Sequence, residues 1–419
     1  MSFKSIKEQI NPILFGSFAA FILFPQKIEV LLIALWFISQ FIYNKSLIIA
    51  NYKVNLKWLI PACLFFFVYL LALLFETPTK STLHAVERKI SLLAIPLGFY
   101  IIKEPLSEKI KRITINSFIA SVSIYSIYVF ARVAHFSYVN WHLVTNEGFN
   151  YALRSNAEKF GGVHSTYYAL FALLAAFFLI EPLFTNRKKW NLKRAIFPIS
   201  TALFLFFNCI LLETRAPLLA FIFASSAVLF LKNKKVGTIF FASCVIAMGV
   251  LFVTVPKLGN RFTEAINSEL LTKKETDFNS SNIRRTIHYC SVSIMKENWI
   301  IGVGMNHYEQ SYLDCYGNFT NEDLLKFSFN SHNQYFDAII NHGIIGLLAF
   351  LILVLFPMHQ KFFYQNHKYL FFKLFFIICF VTENILSRQY GVLLFAFFNT
   401  YFLHNYYFDL RESRKNIIL

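Results

Sequence analysis

With 419 residues, 56% of them hydrophobic and only 15% charged, and a mean hydropathy of +0.50, the chain is too apolar for a soluble globule, whose apolar share is about 45–50%. Its net charge of +17 does not point to a nucleic acid, because Lys and Arg cluster in short segments between apolar runs, which is the pattern of membrane topology. Runs of about 16–24 apolar residues select helices over the alternating strands of a membrane barrel.

Twelve spans are predicted, near 11–24, 28–43, 58–75, 89–102, 113–135, 162–181, 195–212, 216–231, 236–255, 334–356, 369–386 and 391–406. The expected fold class is an all-α polytopic membrane protein, with about 12 transmembrane helices and a large, partly helical periplasmic loop. On this reading residues 1–255 hold the first nine spans, 256–333 the large loop, and 334–419 the last three spans and a tail. The first apolar run lacks a small-residue cleavage site and reads as a retained helix. Spans one, two and four are short for a hydrocarbon core of about 30 Å, so tilted or broken helices are expected there. The 51 Phe residues suit lipid-facing helix surfaces.

Placing the amino terminus in the cytoplasm puts 23 of the 40 basic residues on one side against six acids, an excess equal to the whole net charge. Lys53, Arg187, Lys188, Lys189, Lys232 and Lys373 are among them. The opposite side is close to neutral, both termini fall inside, and the loops near 136–161 and 256–333 face outward. No G-x-x-x-x-G-K-[ST] loop occurs, and Gly302-Val303-Gly304 neither follows a strand nor opens a βαβ unit. With no nucleotide site inside, any chemistry must use a substrate that is already activated.

Cys63, Cys209, Cys244 and Cys379 lie in apolar runs and read as core residues. Cys290 and Cys315 share the large outward loop, where an oxidising compartment permits a disulfide. The sequence leaves their pairing open. No metal-ligand spacing appears, so neither a metal nor a cofactor is expected.

Three outward positions share one design. Arg215 in LETRAPLL lies in a tight turn between spans, with Thr214 as cap and Pro217 in the first turn of the next helix. Arg284 and Arg285 follow the capping run Asn279 to Asn282 and open an interfacial helix. His332 falls in the first turn of a helix if Ser331 and Gln334 form a capping box. Helix starts offer unpaired N–H groups that attract phosphate, and arginine presents a planar fork suited to its oxygens. Arg215, Arg284 and Arg285 are therefore candidates for a diphosphate clamp, and His332 for a base acting on a hydroxyl. The competing readings are that the arginines snorkel to lipid headgroups and that the histidine only caps. Secondary candidates are Asn333, His342 inside the tenth span, where polar groups are costly, and His164 in GGVHSTYY.

The order TRAPLL, an arginine opening the loop helix, WIIGVGMNHY, and SHNQYFDAIINHGIIGLLAFLILV resembles the bacterial O-antigen ligase and polymerase superfamily over roughly residues 200–356. The resemblance implies a metal-independent, inverting glycosyltransferase of the bacterial inner membrane. Its donor would be a polyprenyl (undecaprenyl) diphosphate glycan and its acceptor a glycolipid or saccharide, with membrane lipids around it and no nucleic-acid partner. By position it implies Arg215 and Arg284 on the diphosphate and His332 as base, with a family tryptophan replaced by His288. Ligase and polymerase are not separated by these motifs, although the H-N motif and the single dominant late loop lean toward a ligase. A lipid-linked oligosaccharide flippase is the alternative from another class, and it should show structural repeats and midplane charges.

Overall fold

The structure, a computed structural model, describes residues 3–20, 22, 26–50, 56–140, 149–185, 191–254, 263, 266–271, 279–319, 322–327 and 329–418. Parts of both expected outward loops lie outside these residues, as do Lys53, Arg187, Lys188 and Lys189. Every regular element described is helical. The first half holds α1 (Phe3–Ala19), α2 (Gln26–Ala50), α3 (Leu56–Ala72), α4 (Lys80–Lys89), α5 (Ser91–Ile101), α6 (Glu108–Val139), α7 (Phe149–Gly161) and α8 (Ser165–Thr185). Then follow α9 (Leu192–Leu211), α10 (Arg215–Lys232), α11 (Lys234–Thr254), α12 (Ser280–Asn298), α13 (Tyr308–Tyr316), α14 (Asp323–Phe327), α15 (Gln334–Leu355), α16 (His367–Thr382) and α17 (Gln389–Ile418).

Among the described residues, five helices are long and apolar enough to cross a membrane, namely α6, α8, α9, α10 and α15. Shorter apolar stretches run over Ile10–Ala19, Ile28–Tyr43 and Leu56–Ala72. The span expected at 89–102 does not begin as one helix. Polar α4 starts in a reciprocal capping box between Thr79 and Thr82, and the chain resets at Ile90 before α5. The span expected at 369–386 ends early, at Thr382, which leaves Glu383 and Asn384 outside the helix.

Among the described residues, 22 phenylalanines are buried inside the bundle, contrary to the lipid-facing placement expected for them. Phe371 stacks on Phe177 at 3.7 Å, and Phe350 meets Phe65 and Phe380 at 5.3 and 5.1 Å. Lipid is as apolar as a side chain, so helices in a membrane associate through close van der Waals packing, which large flat rings supply. Helix α8 is buried on every face through its first fourteen residues, as a helix apolar all round should be. Lys373, counted among the inner-face charges, is buried instead and donates to the Leu353 carbonyl at 3.0 Å. That carbonyl is open because the residue four places on is Pro357, which has no N–H.

The element that positions the site is α15, which packs against α3, α12 and α16. Its helix breaks at Gly343, where φ is +61°. The segment after α12 fills the gap: Val303 donates to the Ile340 carbonyl at 2.7 Å, and Ile344 donates to the Ile300 carbonyl at 3.2 Å. Two backbone groups that a broken ladder strands are thus paired with a loop rather than left bare. The same loop is tied to the α3–α4 connection, where the Glu76 carboxylate accepts from the N–H groups of Met305 at 3.0 Å and Asn306 at 2.9 Å.

Candidate active site

At the start of α15 the cap differs from the expected box. Asn333, in extended backbone, accepts from the N–H groups of Tyr335 and Phe336 at 2.9 and 3.2 Å. Asn333 is therefore spoken for by the helix. Gln334 reaches sideways, accepting from the Leu386 N–H at 2.7 Å and donating to Asp337 at 3.0 Å. His332 thus precedes the helix and does not sit in its first turn. It holds a left-handed backbone with φ +46°, uncommon for a side-chain-bearing residue and found where surroundings impose it. Those surroundings are visible on both sides. Ser331 donates to Asn384 at 3.0 Å and its N–H is held by the Tyr308 hydroxyl at 3.2 Å, while the His332 N–H donates to Asn330 at 3.1 Å.

Held this way, the His332 imidazole faces Glu383, with Nδ1 3.3 Å from Oε2. The other carboxylate oxygen, Oε1, lies 3.5 Å from Arg284 Nη2. One acidic side chain, only 16% exposed, therefore joins two of the predicted residues. Burial raises the Glu383 pKa, but the His332 hydrogen bond, the imidazole charge and the Arg284 guanidinium together outweigh it and hold the carboxyl below its ordinary range. An ionised carboxylate only accepts, so in the neutral imidazole Nδ1 carries the proton and Nε2 the lone pair.

Arg284 and Arg285 sit in the first turns of α12, which Asn279 caps by accepting from the N–H groups of Ser281 and Asn282 at 3.0 and 2.9 Å. Both arginines line a cavity of about 640 Å³ together with Arg215, Ser280, Ser281 and His288. This is the size expected of a small-molecule site, about 300–1,000 Å³. Arg215 reaches the cavity from the start of α10. Thr214 occupies the cap position there, but its hydroxyl turns back to donate to the Cys209 carbonyl at 2.9 Å instead of capping the helix. The turn before it passes through Glu213 at φ +53°. His288 packs its ring 5.1 Å from Phe336 of α15, which fastens the arginine helix to the histidine helix.

Of the candidates, only the three arginines line this cavity; His332 reaches it through Glu383 and Arg284, and Asn333, His164 and His342 do not line it. His164, before α8, contacts Glu158 (3.7 Å) and accepts from the Thr166 N–H (3.3 Å). His342 lies deeper in α15, edge-on to Tyr69 at 4.2 Å, with Nε2 buried and without a hydrogen bond.

Sequence reasoning missed Glu383. The apolar run predicted over 369–386 swallowed it, although a carboxylate in such a run is itself a signal, being costly unless paired. The neighbouring Asn384 donates to Asp337 at 3.1 Å and so fixes the end of α16 against α15. Cys290 and Cys315 form a disulfide between α12 and α13, which resolves the pairing left open above.

These features define a protein that is helical throughout its described elements and of membrane-spanning character, with a cationic cavity at the starts of α10 and α12 and His332, just before α15, joined to it through Glu383 and Arg284. Residues 200–351 match the family model described as O-Antigen ligase. The match runs from within α9 to within α15, takes in Arg215, Arg284, Arg285 and His332, and supports the O-antigen ligase and polymerase superfamily. No curated protein is similar enough to the chain to count as a match.

Proposed function

We propose that the protein is an O-antigen ligase-like glycosyltransferase of the bacterial inner membrane, its site on the periplasmic side and both termini in the cytoplasm. It moves a glycan from a polyprenyl diphosphate carrier to a hydroxyl of a lipid A-core or similar acceptor. The observation that carries this reading is that Glu383 links His332 to Arg284, which lines one cavity with Arg215. The disulfide in the segment between α11 and α15 supports its outward placement, since such bonds persist in oxidising compartments.

In the proposed reaction His332 Nε2 takes the proton of the acceptor hydroxyl as its oxygen attacks the anomeric carbon of the lipid-linked sugar. The new glycosidic bond forms as the bond to the diphosphate oxygen breaks, and the diphosphate leaves with the electron pair. Arg215 and Arg284 meet the charge that grows on it, and Arg285 is close enough to share the task. Donors fixed in advance where charge develops stabilise a transition state most effectively. Glu383 keeps the imidazole in one tautomer and steadies the imidazolium that forms. A single displacement inverts the anomeric centre.

The test is an assay with purified protein, a polyprenyl-diphosphate glycan and a choice of acceptors. Glycan on a core oligosaccharide supports the ligase; glycan extended on a second lipid-linked repeat identifies a polymerase of the same superfamily. Donor moved across a bilayer without glycosidic product would replace both readings with a flippase.

A further inference from the structure

A second cavity, of about 510 Å³, lies between α12 and α13. Leu270 and Tyr289 line it and also line the arginine cavity, so the two compartments adjoin. Their chemistry is opposite. Among the described residues, the arginine cavity is lined by Arg215, Arg284, Arg285 and His288 and by no acid, whereas the second is lined by Glu297 and Asp314 and by no Lys, Arg or His.

The walls of the second cavity are fixed by covalent and hydrogen bonds. The disulfide joins α12 to α13, and Ser291 shares a 2.7 Å hydrogen bond with Tyr312. The segment carrying Leu270 is pinned to α12 as Glu269 donates to Asn282 at 2.7 Å and Leu271 to Thr286 at 3.1 Å. Tyr289 and Phe319 meet edge to face at 6.0 Å and both face the cavity. Asn298, Ser293 and Ser311 add amide and hydroxyl groups.

Rings that pack on C–H faces, amides that both donate and accept, and carboxylates that accept from hydroxyls form a donor set for a sugar. The two acids repel an anion and favour an ammonium. A wall held in place before binding loses less entropy when a ligand arrives. We propose that this cavity is a saccharide subsite that takes a neutral or amino-bearing oligosaccharide and turns away acidic ones. The proposal rests on reading the adjoining cavity as the diphosphate site, since it places sugar residues beside that diphosphate. They belong either to the donor glycan or to the acceptor.

The test titrates purified, disulfide-intact full-length protein with three trimers: chitotriose (neutral), its de-acetylated form (cationic) and trigalacturonate (anionic). The expected result is binding of the first two, with the anionic trimer weaker by about tenfold or more. The paired isosteric change Glu297→Gln with Asp314→Asn should bring the three to within about threefold of one another, because charge and not shape is removed. Ser293→Trp fills the cavity and should abolish chitotriose binding while farnesyl diphosphate binds as before. In the transfer assay Ser293→Trp raises KM for the donor if the donor glycan occupies the cavity, and for the acceptor if the acceptor does; a shift in neither overturns the proposal. It is also overturned if no trimer binds, if trigalacturonate binds as well as chitotriose, or if Ser293→Trp leaves chitotriose binding intact. Failure of the diphosphate reading is seen separately, as farnesyl diphosphate binding that survives Arg284→Ala.

Discussion

Gly302 and Gly343 meet backbone to backbone: a Cβ added to Gly302 would lie 2.7 Å from the Gly343 nitrogen, and one added to Gly343 would lie 2.1 Å from the Ile300 carbonyl oxygen. This contact joins the WIIGVG segment to the break in α15, eleven residues after His332. Both residues also have positive φ, +84° and +61°. Gly302 and Gly343 are thus explained by one close approach.

Gly343→Ala should therefore be among the most damaging single-methyl changes in the chain. The left-handed backbone alone costs about 1–3 kcal/mol for a residue with a Cβ, and the clash adds to it. A lowered thermal unfolding midpoint in detergent, with transfer reduced in step, is the expected result.

Glu383→Gln keeps the shape but removes the charge between Arg284 and His332. The amide can donate toward Nδ1 and favour the wrong tautomer, so turnover should fall by about tenfold or more, with donor binding changed less. Steady-state kinetics that separate kcat from KM check this.

The same carboxylate makes a pH prediction. Its pKa in the folded protein lies below the ordinary carboxylate range, so its stabilising contribution is full above that range. The contribution is lost as pH falls through the lowered value. Acidification should accordingly lower the unfolding midpoint of the unaltered protein more than that of Glu383→Gln, which has no carboxylate to protonate there.

Arg284→Ala should reduce turnover by about 10² or more if the guanidinium meets the leaving diphosphate. Arg284→Lys should recover only part of the loss, because an ammonium keeps the charge but not the planar fork that addresses Glu383 and phosphate oxygens together. His332→Ala should match or exceed the loss from Arg284→Ala.

Replacing Cys290 and Cys315 with serine should destabilise the α12–α13 unit by about 2–4 kcal/mol. Limited proteolysis of the protein with and without reductant measures this, with earlier cleavage of this segment expected when the bond is absent.

The helical class, the membrane character and the helix starts that carry Arg215 and Arg284 were legible in the sequence. Hydropathy runs and capping residues act over a few neighbours, and a linear reading detects local rules. The cap at α15 was misread by two residues because Ser331 and Asn333 both suit the role, and only the backbone, extended at Asn333 and left-handed at His332, decides between them. Glu383 was hidden because its partners lie 51 and 99 positions away by residue number.

What the sequence determined by itself is the solvent each segment prefers and where a helix can begin. That follows from side-chain polarity and from the backbone groups a helix end leaves unpaired. What only the tertiary structure decided is which of those helix ends face one another. The pairing of Arg284 and His332 through one carboxylate, the loop lodged in the break at Gly343, and the acidic cavity beside the basic one all depend on contacts between distant segments. Their energies come from packing and charge at a few ångströms, which the order of residues along the chain does not reveal.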